Sequence, residues 1–155
     1  MEFNVGDVVY SKDNPEILMT VSFVLGKTKV SGSFGKLLEE EIRELGYIDG
    51  DVECSCFVGL EFKYGCFSTK ELEIHSRCNT CPGFKTGDIV YLRSNPKNLM
   101  NVSFVLKEKS VFFKKNIERI MRSFGFSVGD VQCTWKNEAE TNERCFRAAT
   151  LEKKT

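Results

Sequence analysis

Histidine and tryptophan each occur once in these 155 residues, and proline only three times. The single imidazole, His75, stands at a domain edge, which argues against a histidine-based triad, and one histidine cannot build a multi-histidine metal centre within the chain. No apolar run approaches the roughly 18–20 residues that cross a bilayer. Met1–Val5 carry neither the basic stretch nor the apolar run of a secretory leader. We therefore expect a cytoplasmic chain with no membrane partner. Phosphate-cradling loops are also missing, because Gly32-Ser-Phe-Gly35 lacks the lysine and the spacing of a P-loop. Seven cysteines could suggest a disulfide framework, but the odd count and the absence of a leader favour reduced thiols.

What is present is a globular composition, 41% hydrophobic and 28% charged, written twice. Phe3–Leu25 matches Phe84–Leu106 at 14 of 23 positions, including Gly6-Asp7 with Gly87-Asp88 and Leu18-Met19 with Leu99-Met100. The match resumes at Gly50-Asp51-Val52 with Gly129-Asp130-Val131, and closes at Cys66-Phe67 with Cys145-Phe146 and Leu72 with Leu151. Each copy is small and buries a modest fraction of its surface alone, so the halves are expected to lean on each other.

Both copies predict the same elements. Gly-Asp-Val-Val-Tyr reads as a turn followed by a β-branched and aromatic first strand. Asn14-Pro15 and Asn95-Pro96 are expected to break that strand. Met19, Val21, Phe23 and Leu25 then alternate as a half-buried strand does. Ile117, Ile120, Met121 and Phe124 share one face of a helix over about 114–124. Leu38, Ile42 and Leu45 do the same over about 36–45, and Gly46 and Gly125 provide the left-handed stops. Short strands follow at 51–58, 61–68 and 72–75 and at their counterparts. The expected fold is mainly β with inserted helices, two tandem SH3-like barrels each carrying one amphipathic helix. Copy one is placed at 1–76, a linker at 77–83 and copy two at 84–155.

The pattern Phe84, Gly87-Asp88, Val90, Met100, Val102, Val131, Cys133, Trp135, Phe146 and Leu151 resembles the YodC-like family of small uncharacterised bacterial proteins. Copy one departs from it with Cys56 in place of tryptophan. The resemblance implies an SH3-like barrel and a bacterial source, and it implies no activity.

The linker places Cys78 and Cys81 in a C-x-x-C spacing beside His75, half of a structural zinc site. No second pair of cysteines completes it, and Pro82-Gly83 follows where a redox motif would start a helix. Plain linker cysteines are the simpler reading, with no metal or cofactor. Cys54 and Cys66, like Cys133 and Cys145, could lie close on neighbouring strands and read as small buried apolar residues. The four Gly-Asp pairs read as turns rather than as metal carboxylates.

Charge separates the copies. The chain is neutral, but residues 1–81 hold 8 basic and 14 acidic side chains, and residues 82–155 hold 14 and 8. The acidic excess includes Glu39, Glu40, Glu41 and Glu44 on the first helix. The basic excess gathers at Lys107, Lys109, Lys114, Lys115, Arg119 and Arg122, with Phe112 and Phe113 between them. One expectation is that the acidic helix faces the basic one, within a chain or between chains. These basic residues, the two phenylalanines and Trp135 form the candidate binding set. The function expected is a non-catalytic module that holds a protein partner or self-associates. The alternative is nucleic-acid binding through copy two.

Overall fold

The computed structural model describes residues 1–30, 32–108 and 114–155. Ten strands and two helices follow one another as β1 (Val8–Ser11), β2 (Asn14–Val24), α1 (Ser33–Glu44), β3 (Val52–Val58), β4 (Glu61–Phe67), β5 (Leu72–Ser76), β6 (Ile89–Leu92), β7 (Leu99–Val105), α2 (Lys115–Ser123), β8 (Val131–Lys136), β9 (Thr141–Phe146) and β10 (Leu151–Lys153). They form two five-stranded antiparallel sheets, ordered β4-β3-β2-β1-β5 and β9-β8-β7-β6-β10. Strand for strand the two orders correspond, as the sequence repeat predicts.

The Gly-Asp pairs hold the corners of both sheets. In all four, the aspartate N–H donates to the carbonyl three residues back at 3.0–3.1 Å. The glycine before it sits at φ between +92° and +96°, a conformation that any Cβ would strain. The carboxylate then accepts from the first residue of its own turn at 2.8–2.9 Å. Its other oxygen reaches a distant segment. Asp51 takes the Thr69 N–H, Asp130 that of Ala148, Asp7 that of Cys78, and Asp88 the Lys153 ammonium. The motif is a clamp as well as a turn.

One core lies against each sheet. Phe3, Val9, Met19, Val21, Val24, Val52, Cys54 and Leu72 fill the first, and Val90, Leu92, Met100, Val102, Val131, Cys133 and Leu151 the second. The alternation expected along β2 does not persist. A bulge between Val21 and Phe23 shifts the register, so Val24 enters the core and Phe23 turns to the other face. An equivalent bulge between Val102 and Phe104 turns Phe104 out of the second core.

Two further expectations need correction. Asn14-Pro15 begins β2 instead of breaking the chain, because the β1 ladder jumps from Asn14 to Leu18 and asks nothing of the missing proline N–H. Asn95-Pro96 does lie between strands. Cys54 is paired with Gly65 and Cys66 with Glu53, so these two cysteines point to opposite faces of the sheet, as do Cys133 and Cys145. The apolar face of α1 is not buried on its own sheet either. Leu38 and Leu45 are exposed, and within α1 only Gly35 is buried.

Replacing Asp51 by alanine leaves the Ile48 and Thr69 N–H groups without their acceptor. We expect a loss of about 3 kcal/mol in urea unfolding, seen as a lower midpoint at unchanged slope.

Candidate functional site

The two sheets are joined by side chains of the β3–β4 hairpin. Phe57, the next-to-last residue of β3, is only 6% exposed and belongs to the core of the second sheet, not the first. Its ring meets Trp135 edge-on at 5.4 Å and Phe62, its cross-strand partner, at 5.5 Å. Phe62 in turn lies 5.6 Å from Phe146 and 5.9 Å from Trp135. Such edge-to-face contacts add to the area the rings bury. The backbone of the hairpin is held too. Asn95 accepts the Phe57 N–H at 2.9 Å and donates to the Phe57 carbonyl at 3.3 Å. Asn98 donates to the Gly59 carbonyl at 2.8 Å. Nearby, the buried Thr20 and Ser94 hydroxyls bond at 2.9 Å.

A second joint is made by the helices. Phe34 of α1 stacks on Phe124 beyond α2, with centroids 5.4 Å apart. Gly32 lies so close to the end of α2 that a Cβ there would stand 2.0 Å from the Ser123 carbonyl oxygen. The Gly-x-x-Gly that lacks the marks of a phosphate loop is thus a close-approach contact. The helices do meet, as one reading of the charges anticipates, but the contacts are aromatic and backbone. Glu39 pairs with Arg43 of its own helix at 2.9 Å, and Arg122 donates to the Lys107 carbonyl.

This helix contact leaves a gap. In the second half, Met121 and Ile117 of α2 cover Phe104, which is 5% exposed. The corresponding Phe23 has no such cover, because α1 is drawn toward α2 at its N-terminal end. The result is a cleft of about 550 Å³ between the sheets and both helices. Phe23, Leu38, Ile42, Phe62, Phe124 and Phe126 supply its apolar walls.

Charged and polar groups on the same walls are mostly occupied by one another. Glu53 accepts from Ser22 at 2.9 Å, and Glu143 accepts from Gln132. Arg147 lies 3.8 Å from Asp130 and donates to the Gly125 carbonyl. Across that distance burial outweighs attraction, pushing the Asp130 carboxyl up and the Arg147 guanidinium down from their ordinary values. Burial likewise raises the Cys145 thiol to about 11 and the Cys133 thiol to about 12, which keeps both protonated and unreactive at neutral pH. Arg144 differs from its neighbours. Its guanidinium lies 4.6 Å from the centre of the Phe62 ring and 4.5 Å from that of Tyr64, and no acceptor among the described residues meets it.

Of the residues singled out by sequence, Lys107, Lys114, Lys115, Arg119 and Arg122 are exposed on and before α2. Lys109, Phe112 and Phe113 lie outside the described residues. Trp135 does not stand with the basic helix but packs into the joint between the sheets. His75 and Cys81 are exposed. Cys78 is half-buried, with its N–H on Asp7 and its thiol 3.1 Å from the Thr80 carbonyl oxygen. Among the described residues, no three His, Cys, Asp or Glu side chains are grouped to hold a metal. Sequence reasoning missed Phe57, Phe62, Tyr64 and Arg144. The available signal was their contrast with Lys136, Thr141, Glu143 and Gly65 in the other copy. No family model, curated protein or solved structure matches the chain.

Phe57→Ala would open a cavity in the second core and loosen the joint. We expect a loss of about 3–5 kcal/mol. Trp135 is the only tryptophan, so its fluorescence should shift to the red in the folded variant.

Proposed function

We propose that this protein is a non-catalytic cytoplasmic binding module, built from two SH3-like units that arose by duplication and are fixed into one body. Its ligand is an apolar group held in the cleft between the units. The observation that carries this reading is the uncovered space beside Phe23, where the repeat would have placed a seated helix. The volume, about 550 Å³, falls within the usual range of small-molecule sites, roughly 300–1,000 Å³. Mostly apolar walls with a few convergent polar groups are also what such sites share. The resemblance to the YodC-like family agrees with an SH3-like frame and adds no chemistry. A catalytic reading has little support, since the buried thiols are held protonated and the one histidine lies on the exposed end of β5.

The test uses N-phenyl-1-naphthylamine, a neutral apolar fluorophore. One molecule should bind per chain with enhanced emission. Leu38→Lys, at a half-exposed cleft position, should weaken binding by at least about ten-fold without changing the melting temperature. Absence of binding, or binding indifferent to Leu38→Lys, would overturn the reading.

A second reading, association with a protein partner or with another copy, is favoured by α1. Phe34, Leu37, Leu38 and Leu45 are exposed there among Glu40, Glu41 and Glu44. An exposed apolar arc edged with acid suits a basic amphipathic surface, and the chain has one at Lys114, Arg119 and Arg122. If the second copy supplies it, sedimentation should show a dimer at low salt that dissociates as salt is raised. A monomer at every salt concentration would exclude that pairing.

A further inference from the structure

The cleft adjoins a smaller cavity of about 240 Å³, and Phe62, Glu143 and Arg144 line both. At the smaller cavity three hydrogen-bond donors come together with nothing to receive them. The Trp135 indole N–H and the Asn142 side-chain amide N–H are enclosed, and neither finds an acceptor. The third is the Arg144 guanidinium, held on its two rings. Trp135 and Asn142 are directly opposed across β8 and β9, and Arg144 follows Asn142 by two residues. All three side chains therefore leave the same face of the sheet.

Enclosed donors without partners are rare, because each forfeits the hydrogen bond that water would give it. Two at one place, beside a half-buried guanidinium that meets no acceptor among the described residues, call for an oxygen-rich acceptor. The acids nearby are committed elsewhere, Glu61 beside Lys63 at 3.5 Å and Glu143 under the Gln132 amide. Arg144 is thus the one charged group of the larger cleft that has neither a hydrogen bond nor an ion pair among the described residues.

We propose that the ligand is an acyl carboxylate. Its single carboxylate is received by Arg144, Trp135 and Asn142, and its hydrocarbon chain lies in the cleft against Phe62, Leu38 and Ile42. This rests on the reading of the cleft as the binding site and gives that site its chemistry. A guanidinium offers a fork of donors matched to a carboxylate, and on aromatic faces it is poorly hydrated, so binding an anion there sacrifices little solvation. A hydrocarbon tail also suits these walls better than a peptide does. A peptide would bring amides that need partners of their own, whereas Ser22, Glu53, Gln132 and Arg147 are already bonded to neighbours.

The experiment titrates the full chain with decanoate and with 1-decanol, following heat and Trp135 emission. Decanoate should bind one per chain, about ten-fold or more tighter than decanol, with a change in Trp135 emission. Arg144→Gln should bring decanoate down to the level of decanol and leave decanol unchanged, while Arg144→Lys should retain part of the preference. Equal affinity of the two ligands for the unmodified chain would overturn the carboxylate assignment and leave the cleft reading standing. Failure of decanoate, decanol and N-phenyl-1-naphthylamine alike would overturn both. A tetrapeptide of apolar residues with a free C-terminus, binding where decanoate does not, would overturn the acyl chain.

Discussion

The position of every other feature follows from the insertion of Phe57 into a core that belongs to the other half of the chain. β3 supplies Cys54 and Cys56 to the first core and then, one residue later, sends Phe57 into the second. A strand can do this because successive side chains leave opposite faces. The hairpin is thereby a wall of one sheet and the plug of the other. Asn95, bonded to both the N–H and the carbonyl of Phe57, fixes the depth of insertion. Two small sheets that would each be marginal alone share one buried aromatic cluster, and their mutual orientation is set by packing and not by the linker.

Given that orientation, the cleft is the product of one symmetry and one departure from it. The symmetry is the pair of bulges that re-aim Phe23 and Phe104 out of their cores. The departure is in the helices. α2 lies over Phe104, while α1 is held by Gly32 and Phe34 against the far end of α2. Glycine at position 32 permits the contact, and the contact leaves Phe23 facing a gap instead of a helix. The same displacement leaves Leu38 and Leu45 unburied. An amphipathic helix whose apolar face finds no core in its own unit is available to line a site.

Much of the frame could be read from residues alone, because it depends on local chemistry. Gly-Asp marks turns wherever it occurs, since glycine takes the left-handed position and the carboxylate bonds back to the turn. The helices and their glycine stops were legible for the same reason. The bulges were not, because alternation in sequence fixes a face only while the register holds, and the register belongs to the neighbouring strand. The seating of α1 and the role of Trp135 depend on contacts between halves, which no local pattern encodes. The charges of the two helices misled on a narrower point. They mark oppositely charged helices that do meet, but Glu39 and Arg122 bond within their own halves.

The inserted pair is not repeated in the second half. At the positions of Phe57 and Phe62 the second half carries Lys136 and Thr141, again a cross-strand pair. A lysine cannot enter an apolar core without losing its hydration, so the second hairpin carries no plug. The first half, for its part, has Cys56 where Trp135 would build the receiving ring. Plug and socket are thus divided between the copies, and the joint runs in one direction only. The donors Trp135, Asn142 and Arg144 lie on the socket side, where Cys56, Lys63 and Gly65 stand in the first half. The positions at which the two halves differ are the ones that join them, and the same ones gather three unpaired donors at the seam.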